Sequence, residues 1–352
     1  MKKVDNINIV SETPLPTPDE IRMELPVTAE IAENVWQFRQ TVGSIVTGKD
    51  PRILMICGPC SIDSIPAAME YAMHLRSLQE KVSDRMFLVM RAYFEKPRTT
   101  IGWKGLVYDP DLDRSFHIEK GLRLSRKLLL NLAEMGIPAA TEFLEPIIPQ
   151  YTADLISWAS IGARTSESQT HRQMASGLSM PVGFKNSTDG SIGVAVDAIR
   201  TASARHSFLG VINDGRTGVF STRGNPYCHL ILRGGVHEPN YTSEYIAFSR
   251  ELMIREKLFP SIVVDCSHAN SQRNPLKQGE ILHNVAEQIL DGQDAIRGVM
   301  LESYMKTGRQ NMDKGAIIPG LSITDPCLGW PETESLILET AEMLRHSPAR
   351  PK

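Results

Sequence analysis

Short apolar runs alternate with amphipathic stretches along most of this chain. Eight of the runs are five to eight residues long, and each is bounded by polar or turn-forming residues. Uninterrupted apolar runs of this length are typical of parallel strands that are covered on both faces. We therefore predict strands at Ile53–Gly58, Phe87–Ala92, Pro138–Phe143, Ile156–Ala163, Pro181–Lys185, His229–Arg233, Ile262–Cys266 and Ile296–Glu302.

The stretches between these runs carry apolar residues at helical spacing. Predicted helices are Ala29–Val46, Ala67–Glu80, Gly121–Met135, Gln169–Gly177, Val194–Ala204, Ser243–Glu256 and Glu280–Asp291. A strand followed by a helix, repeated over about 300 residues, predicts an α/β fold of the (β/α)8 TIM-barrel type. An open doubly wound sheet is the alternative that this rhythm leaves open.

Two segments fall outside the repeat. Residues 1–50 are expected to form an N-terminal extension with a role in regulation or assembly, and Pro14, Pro16 and Pro18 indicate an irregular chain before its helix. Residues from about 206 to 224 contain Asn213-Asp214-Gly215 between two short apolar runs, which predicts an inserted β-hairpin. The expected organisation is thus an extension followed by a catalytic barrel over residues 51–352 that carries the hairpin.

Composition and charge exclude several classes of protein. The 352 residues are 41% hydrophobic and 22% charged, with a net charge of −3, whereas a nucleic-acid-binding protein needs a basic surface. No apolar run approaches the roughly 20 residues of a membrane span, and no apolar stretch follows the first lysines as in a signal peptide. Five cysteines favour a reducing compartment. We expect a cytoplasmic protein that binds neither nucleic acid nor membrane.

Reactive side chains follow every predicted strand. The carboxyl ends of barrel strands surround the active site, and here they present Cys60, Arg91, Glu142, Arg164, Lys185, Arg233, His268 and Glu302. Six cations are expected at one mouth, namely Arg91, Lys96, Arg98, Arg164, Lys185 and Arg233. Their mutual repulsion is relieved if anions bind among them. The alternative is that some form structural ion pairs with Glu95, Asp111 or Glu142.

A second set of residues suits a metal ion. Cys60, His268, Glu302 and Asp325 offer a thiolate, an imidazole and two carboxylates, which together favour a divalent transition metal. They follow the first, seventh and eighth strands, and a closed barrel makes the first and eighth strands neighbours. A hydrogen bond to Asp265 is an equally good explanation of His268 taken alone. Cys266 and Cys327 are expected to be apolar filling.

Cys57-Gly58-Pro59-Cys60, between a strand and a helix, is also the pattern of a thioredoxin-type redox motif. The chain is far longer than a thioredoxin domain, and the motif follows the first strand of a long βα series. Strand alternation also places Cys57 on the same face as Ile53 and Met55, where it is expected to be packed. These observations disfavour a redox function.

Seven short segments along the chain match a known pattern, namely Gly58–Ile62, Tyr93–Gly105, Ile161–Thr165, Pro181–Asn186, Leu232–Gly235, Asp265–Asn270 and Ser322–Asp325. In sequence and in order, these segments resemble the type I, microbial class of 3-deoxy-D-arabino-heptulosonate 7-phosphate (DAHP) synthases. The resemblance implies a (β/α)8 barrel with an N-terminal extension and an inserted hairpin. It also implies a metal-dependent condensation of phosphoenolpyruvate with D-erythrose 4-phosphate, the first step of the shikimate pathway.

The resemblance assigns roles residue by residue. One divalent ion (Mn²⁺, Fe²⁺, Co²⁺ or Zn²⁺) would be held by Cys60, His268, Glu302 and Asp325. Phosphoenolpyruvate would bind Arg91, Lys96, Arg164, Lys185 and Arg233, with Glu142 and Ala163 nearby. Erythrose 4-phosphate would bind Lys96, Pro97, Arg98 and Thr99, with Arg98 and Thr99 at its phosphate and Asp325 close to the substrates. Lys96 and Glu142 are the candidates for proton transfer, with Cys60 and His268 serving catalysis through the metal.

Family members are commonly inhibited by phenylalanine, tyrosine or tryptophan, bound beside the hairpin and the extension. The resemblance assigns this allosteric pocket to Pro149, Gln150, Ser179, Phe208 and Gly210. The position of Gly210 is usually serine in phenylalanine-sensitive members and glycine in tyrosine-sensitive ones. Because a missing hydroxymethyl group leaves space for a phenol, we predict inhibition by tyrosine. A homodimer or homotetramer is expected, as in the family.

Three alternatives differ from this reading. A Schiff-base aldolase would use Lys185 as its nucleophile, because a strand-end lysine is a common nucleophile in barrels. A sister synthase would use arabinose 5-phosphate, although Lys96-Pro97-Arg98-Thr99 favours the four-carbon sugar. A non-catalytic amino-acid-binding protein would have no need of a metal site.

Overall fold

This computed structural model describes residues 4–98, 100–312 and 315–346. Its strands are β1 (Ile53–Gly58), β2 (Met86–Arg91), β3 (Ala139–Glu142), β4 (Trp158–Ile161), β5 (Val182–Lys185), β6 (Ser207–Val211), β7 (Thr217–Ser221), β8 (Cys228–Leu232), β9 (Ile262–Asp265) and β10 (Ile296–Glu302). Eight of them form a closed parallel barrel in the order β1-β10-β9-β8-β5-β4-β3-β2. The predicted TIM barrel is confirmed, and every predicted strand is present within a few residues.

The helices are α1 (Pro18–Glu24), α2 (Ala29–Val46), α3 (Ile65–Val82), α4 (Ile118–Glu134), α5 (Pro149–Thr152), α6 (Gln169–Gly177), α7 (Gly193–Ala202), α8 (Ser243–Arg255), α9 (Lys277–Leu290) and α10 (Trp330–Arg345). All seven predicted helices are present. The sequence did not predict α1, α5 or α10. The predicted irregular chain is confirmed over residues 4–17, but it ends before Pro18, because Pro18 opens α1 and Thr17 forms a capping box with Glu20.

The inserted hairpin is present as β6 and β7, which pair antiparallel between α7 and β8. It does not interrupt the barrel, because β5 pairs directly with β8. On one face of the hairpin the rings of Phe208 and Phe220 stack with centroids 5.7 Å apart. The opposite face exposes the cross-strand pair Leu209 and Val219.

Helix α2 covers the end of the barrel where the strands begin. Its residues Val42, Ile45 and Val46 belong to the same buried cluster as the side chains that fill the barrel interior. Gly48, just after α2, lies against Arg297 near the start of β10. The carboxyl ends of the strands are therefore the end that remains available for a site.

Among the residues that the structure describes, none of the helices combines the length and apolar character that a membrane-spanning helix needs.

Candidate active site

The six predicted cations meet at the carboxyl end of the barrel. They line one cavity of about 340 Å³, whose wall includes these predicted residues: Arg91, Lys96, Pro97, Arg98, Glu142, Ala163, Arg164, Lys185, Arg233, His268 and Asp325. Cys60 and Glu302 are not on this wall, but they contact Lys96 and Arg91, which are. Thr99 lies outside the described residues.

Positive charge is crowded at this mouth. The pKa of Arg233 is lowered by burial and also by the neighbouring guanidinium groups of Arg164 and Arg273. Repulsion of this kind falls when an anion binds among the cations. The cavity is therefore suited to phosphate and carboxylate groups, which arginine binds through paired hydrogen bonds.

Three of the cations also contact carboxylates. Lys185 Nζ lies 2.5 Å from Glu142 Oε2, Arg91 lies 3.2 Å from Glu302, and Lys96 lies 2.9 Å from Asp325. Of the ion pairs considered from sequence, only the one with Glu142 forms among the described residues. Asp111 instead contacts Lys120 and His117, which are exposed. Glu95 instead accepts hydrogen bonds from two backbone N–H groups and a tyrosine hydroxyl.

The Lys185–Glu142 pair is buried, with side chains 5% and 4% exposed. Burial by itself would raise the pKa of Glu142, but the Lys185 ammonium outweighs burial and lowers that pKa below its ordinary value. Burial likewise opposes the charge of Lys185, yet Glu142 raises its pKa. Because a Schiff-base lysine must lose its proton before it attacks a carbonyl, this pair argues against the aldolase alternative.

The predicted metal donors lie close together. One donor atom each from Cys60, Glu302 and Asp325 lie within 4.8 Å of one another. His268 stands beside them, with Nε2 3.6 Å from Glu302 Oε1. Its other ring nitrogen, Nδ1, lies 2.8 Å from Asp265 Oδ2 and 2.7 Å from the hydroxyl oxygen of Ser267. A carboxylate behind an imidazole is a common way to orient a metal-binding histidine.

A cation already stands among these donors. The Lys96 ammonium lies 2.7 Å from Cys60 Sγ and 2.9 Å from Asp325 Oδ2. Burial opposes the charge of Lys96, but Cys60, Asp325 and Glu302 outweigh it, and its pKa is raised. The group thus stabilises positive charge at this point, and its sulfur, oxygen and nitrogen donors fit a divalent transition metal.

Three of the other four cysteines are packed in the interior. Cys57, Cys266 and Cys327 are fully buried, and all five cysteines of the chain are free thiols. Cys57 lies in the packed wall of β1, as strand alternation predicted. The Cys57–Cys60 motif therefore gives no support to a thioredoxin-type function.

The cavity has lining residues that sequence reasoning missed. The ring centroid of Tyr93 lies 3.9 Å from the guanidinium carbon of Arg91, and its place two residues beyond Arg91 was an available signal. Arg273 and Arg309 also line the cavity. Arg309 reaches it because the chain after β10 folds back, with bridges that pair Gly308 with Cys327 and Arg309 with Ser322. The strand pattern contains no information on that return.

A second cavity, which we call the hairpin cavity, has a volume of about 830 Å³. It lies between the hairpin, α2 and α6, and its wall includes all five residues of the predicted allosteric pocket: Pro149, Gln150, Ser179, Phe208 and Gly210. A β-carbon placed on Gly210 would lie 2.7 Å from Cε2 of Phe220. The ring of Phe220 therefore fills the space beside Gly210, and this space is not free for a phenol.

Comparisons with known proteins bear on the family to which the chain belongs. The sequence profile described as the DAHP synthetase I family matches residues 24–338. The Tyr-sensitive phospho-2-dehydro-3-deoxyheptonate aldolase of Escherichia coli (strain K12) is 46% identical over 338 residues, which are 96% of this chain and 95% of that protein. The Trp-sensitive enzyme of Enterobacter agglomerans is 47% identical over 347 residues, which are 98% of this chain and 99% of that protein.

A solved structure gives the same result for the fold. The phospho-2-dehydro-3-deoxyheptonate aldolase of Francisella tularensis SCHU S4 superposes with a TM-score of 0.95 at 43% identity, covering 98% of this chain and 100% of that one. The resemblance noted from the sequence motifs is thereby confirmed. The chain belongs to the DAHP synthetase I family.

Proposed function

We propose that this protein condenses phosphoenolpyruvate with D-erythrose 4-phosphate and water to give DAHP and inorganic phosphate. The observation that carries the proposal is the single cavity lined by Arg91, Lys96, Arg98, Arg164, Lys185 and Arg233. The two substrates together bring two phosphates and one carboxylate, which accounts for a cluster of this size.

The cations divide by their place in the fold. Arg91 and Lys185 end strands β2 and β5, and Arg164 and Arg233 follow β4 and β8, so these four form a fixed ring for phosphoenolpyruvate. Arg98 lies beyond β2 in the segment that leads to α4, and with Thr99 it would hold the phosphate of the aldose. The two substrates would thus bind side by side at the carboxyl end of the barrel, phosphoenolpyruvate against the strand ends and the aldose phosphate against the segment that leads to α4.

Two side chains are available for proton transfer. As C3 of phosphoenolpyruvate attacks the aldehyde carbon, the aldehyde oxygen gains negative charge, and Lys96 would give it a proton. Positive character then develops at C2, where water adds before phosphate leaves. Glu142, held anionic by Lys185, would orient this water and take its proton.

We propose that Cys60, His268, Glu302 and Asp325 hold one divalent metal ion, with Mn²⁺, Fe²⁺, Co²⁺ and Zn²⁺ as candidates. Such an ion would supply a Lewis acid at the aldehyde oxygen. Asp265 would orient His268 through Nδ1. A thiol ligand and five free cysteines suit a reducing compartment, so we place the enzyme in the cytoplasm.

We propose that the hairpin cavity binds an aromatic amino acid that inhibits the reaction, with tyrosine preferred. The relatives are named for sensitivity to tyrosine or to tryptophan, so their names do not decide between the two effectors. The preference for tyrosine rests on Gly210, because a side chain at this position would displace the ring of Phe220. We also propose a homodimer or homotetramer in which residues 1–50 and the hairpin take part, because Leu209 and Val219 are 81% and 67% exposed.

The test is a steady-state assay with both substrates, run with and without a chelator and with each aromatic amino acid. We expect turnover that the chelator abolishes and added metal restores, and inhibition mainly by tyrosine. Borohydride trapping in the presence of substrate should give no lysine adduct. Turnover that resists chelation, with a reduced adduct at Lys185, would establish the Schiff-base alternative instead.

A further inference from the structure

Glu95 is a buried carboxylate for which the proposed reaction has no use. It is 2% exposed, although it directly precedes Lys96. Its oxygens accept hydrogen bonds from the backbone N–H groups of Leu144 (3.2 Å) and Glu145 (3.0 Å) and from the hydroxyl of Tyr108 (3.1 Å). None of these three donors is a cation. A carboxylate that accepts several N–H and O–H donors ties the segments that supply them together.

Two of the three hydrogen bonds join two segments at the mouth of the barrel, and the third, from Tyr108, lies within the first of these segments. Glu95 belongs to the segment after β2, which carries Lys96 and Arg98 into the substrate cavity. Leu144 and Glu145 belong to the segment after β3, which leads to α5. The position of Lys96 and Arg98 is therefore fixed against the segment between β3 and α5 through one side chain.

The same segment after β3 also borders the hairpin cavity. Pro146, the residue after Glu145, lines that cavity, as do Pro149 and Gln150 in α5. The carbonyl of Leu144 accepts a hydrogen bond of 2.7 Å from Nε2 of His171 in α6. Other residues of α6, Thr170 and Met174, line the hairpin cavity too. The Leu144–Glu145 peptide is thus held by Glu95 on one side and by a wall of the hairpin cavity on the other.

We propose that Glu95 is a positioning residue, which couples the hairpin cavity to the Lys96–Arg98 segment through its hydrogen bonds to the Leu144–Glu145 peptide. A ligand that shifts Pro146 or α6 moves this peptide and, through Glu95, moves Arg98. The coupling acts on the aldose phosphate more than on phosphoenolpyruvate, because Arg91 and Lys185 are fixed in barrel strands. This inference rests on the proposed function for its choice of ligands.

The protonation state of Glu95 predicts that the proposed coupling depends on pH. Burial raises the pKa of Glu95 to about 7, against the hydrogen bonds from Leu144, Glu145 and Tyr108 that lower it. The titratable groups facing it are the Glu145 carboxylate, which also raises that pKa, and the neutral Tyr108 hydroxyl, which lowers it by donating a hydrogen bond. Hydrogen bonds to an ionised acceptor are stronger than those to a neutral one. The link should therefore be firm above about pH 7 and loosen below it.

The test compares Glu95→Gln with the wild type, with Glu119→Gln on the exposed face of α4 as the matched control. In the wild type we expect tyrosine to raise the KM for erythrose 4-phosphate. In Glu95→Gln this increase should fall by at least about five-fold, while the KM for phosphoenolpyruvate and the calorimetric Kd for tyrosine stay within about two-fold. In the wild type we also expect the KM for erythrose 4-phosphate to rise as the pH falls below about 7. This rise should be absent from Glu95→Gln.

Tyr108→Phe is a second variant that removes one donor and leaves the carboxylate, and it should weaken the coupling in the same direction. Hydrogen exchange of the backbone amides of residues 96–107 supplies a readout that does not depend on turnover. We expect faster exchange there in Glu95→Gln and no change in the Glu119→Gln control. If tyrosine did not bind the wild type, the proposed effector would be wrong, and the exchange measurement would still test the role of Glu95. Unchanged coupling, or unchanged exchange at residues 96–107, in folded Glu95→Gln would overturn the positioning role.

Discussion

The ammonium nitrogen of Lys96 lies 2.7 Å from the sulfur of Cys60, in a position where positive charge is stabilised from several sides. The sulfur also lies 3.6 Å from Asp325 Oδ2, and this oxygen contacts the same ammonium group. The side chains of Lys96, Cys60 and Asp325 therefore all contact one another. The same contacts that would bind a metal ion thus also hold the group proposed to protonate the aldehyde oxygen. Metal binding and proton transfer are for this reason expected to depend on each other.

The first prediction concerns this sulfur. Cys60→Ala removes the thiol donor from the group formed with Glu302 and Asp325, and we expect turnover to fall by at least about 100-fold. Metal content after reconstitution should fall with it, while circular dichroism shows the native fold. Cys57→Ala is the matched control, because Cys57 is equally buried in β1 but lies outside the donor group. Full activity of Cys60→Ala would show that the ligand set is wrong.

Arg98→Ala should separate the two substrates. A guanidinium on a phosphate contributes roughly 1.5–3 kcal/mol, so we expect the KM for erythrose 4-phosphate to rise by about 10- to 100-fold. The KM for phosphoenolpyruvate should change little, because its proposed ligands lie at the strand ends. Steady-state kinetics with each substrate varied in turn checks this, with Arg76→Ala on the exposed side of α3 as a control. An effect confined to phosphoenolpyruvate would mean that the two subsites are exchanged.

The barrel and most of the site could be predicted from sequence because both follow from local pattern. Buried parallel strands read as continuous apolar runs, and residues at their carboxyl ends must share one face of a closed barrel. Arg91, Glu142, Lys185 and Glu302 are the last residues of their strands, as this argument requires. Nothing beyond strand phase was needed to bring them together.

The residues that the sequence did not predict are placed by long-range contacts between loops. Arg309 reaches the cavity through bridges that the chain after β10 makes with residues near Asp325. Glu95 was expected to pair with a cation, but its partners are two backbone N–H groups and the hydroxyl of Tyr108. The space beside Gly210 was expected to be free for a phenol, but the ring of Phe220, on the other strand of the hairpin, fills it. Contacts of this kind are long-range and carry no periodic signal.

Gly210→Ser should alter effector choice without altering the substrate site. A side chain at this position meets the ring of Phe220 at 2.7 Å, so the ring must move within the hairpin cavity. We expect the concentration of tyrosine that half-inhibits the enzyme to rise by about 10-fold or more, which corresponds to roughly 1.4 kcal/mol, and phenylalanine to become the better inhibitor. Uninhibited kcat and both KM values should stay unchanged.

Inhibition curves for the three aromatic amino acids test this, and Val219→Ser supplies the control because Val219 is exposed on the same hairpin and does not line the hairpin cavity. If Gly210→Ser kept the wild-type order of inhibitors, the position of the Phe220 ring would not determine selectivity. If Val219→Ser changed the order equally, the effect would come from the hairpin as a whole.

The last prediction concerns His229, which lies fully buried at the second position of β8. Its Nε2 accepts a hydrogen bond of 3.0 Å from Trp158 Nε1, and its Nδ1 lies 3.0 Å from the carbonyl of Tyr227, to which it donates. Both ring nitrogens are satisfied in the neutral form, and burial lowers the pKa of His229 from 6.5 to about 4. An unfolded chain therefore takes up this proton before the folded one does.

The stabilising effect of a neutral His229 is complete above about pH 6.5 and is lost as the pH falls towards 4, by roughly 3 kcal/mol in free energy of unfolding. His229→Gln keeps an acceptor for Trp158 and has no proton to gain, so its unfolding free energy should fall less steeply over that range. Urea unfolding at a fixed protein concentration, from pH 7.5 to 4.5, measures the difference between the two proteins. His346→Gln, at an exposed histidine near the end of α10, should follow the wild type. Parallel curves for wild type and His229→Gln would mean that this imidazole is not what makes the barrel sensitive to acid.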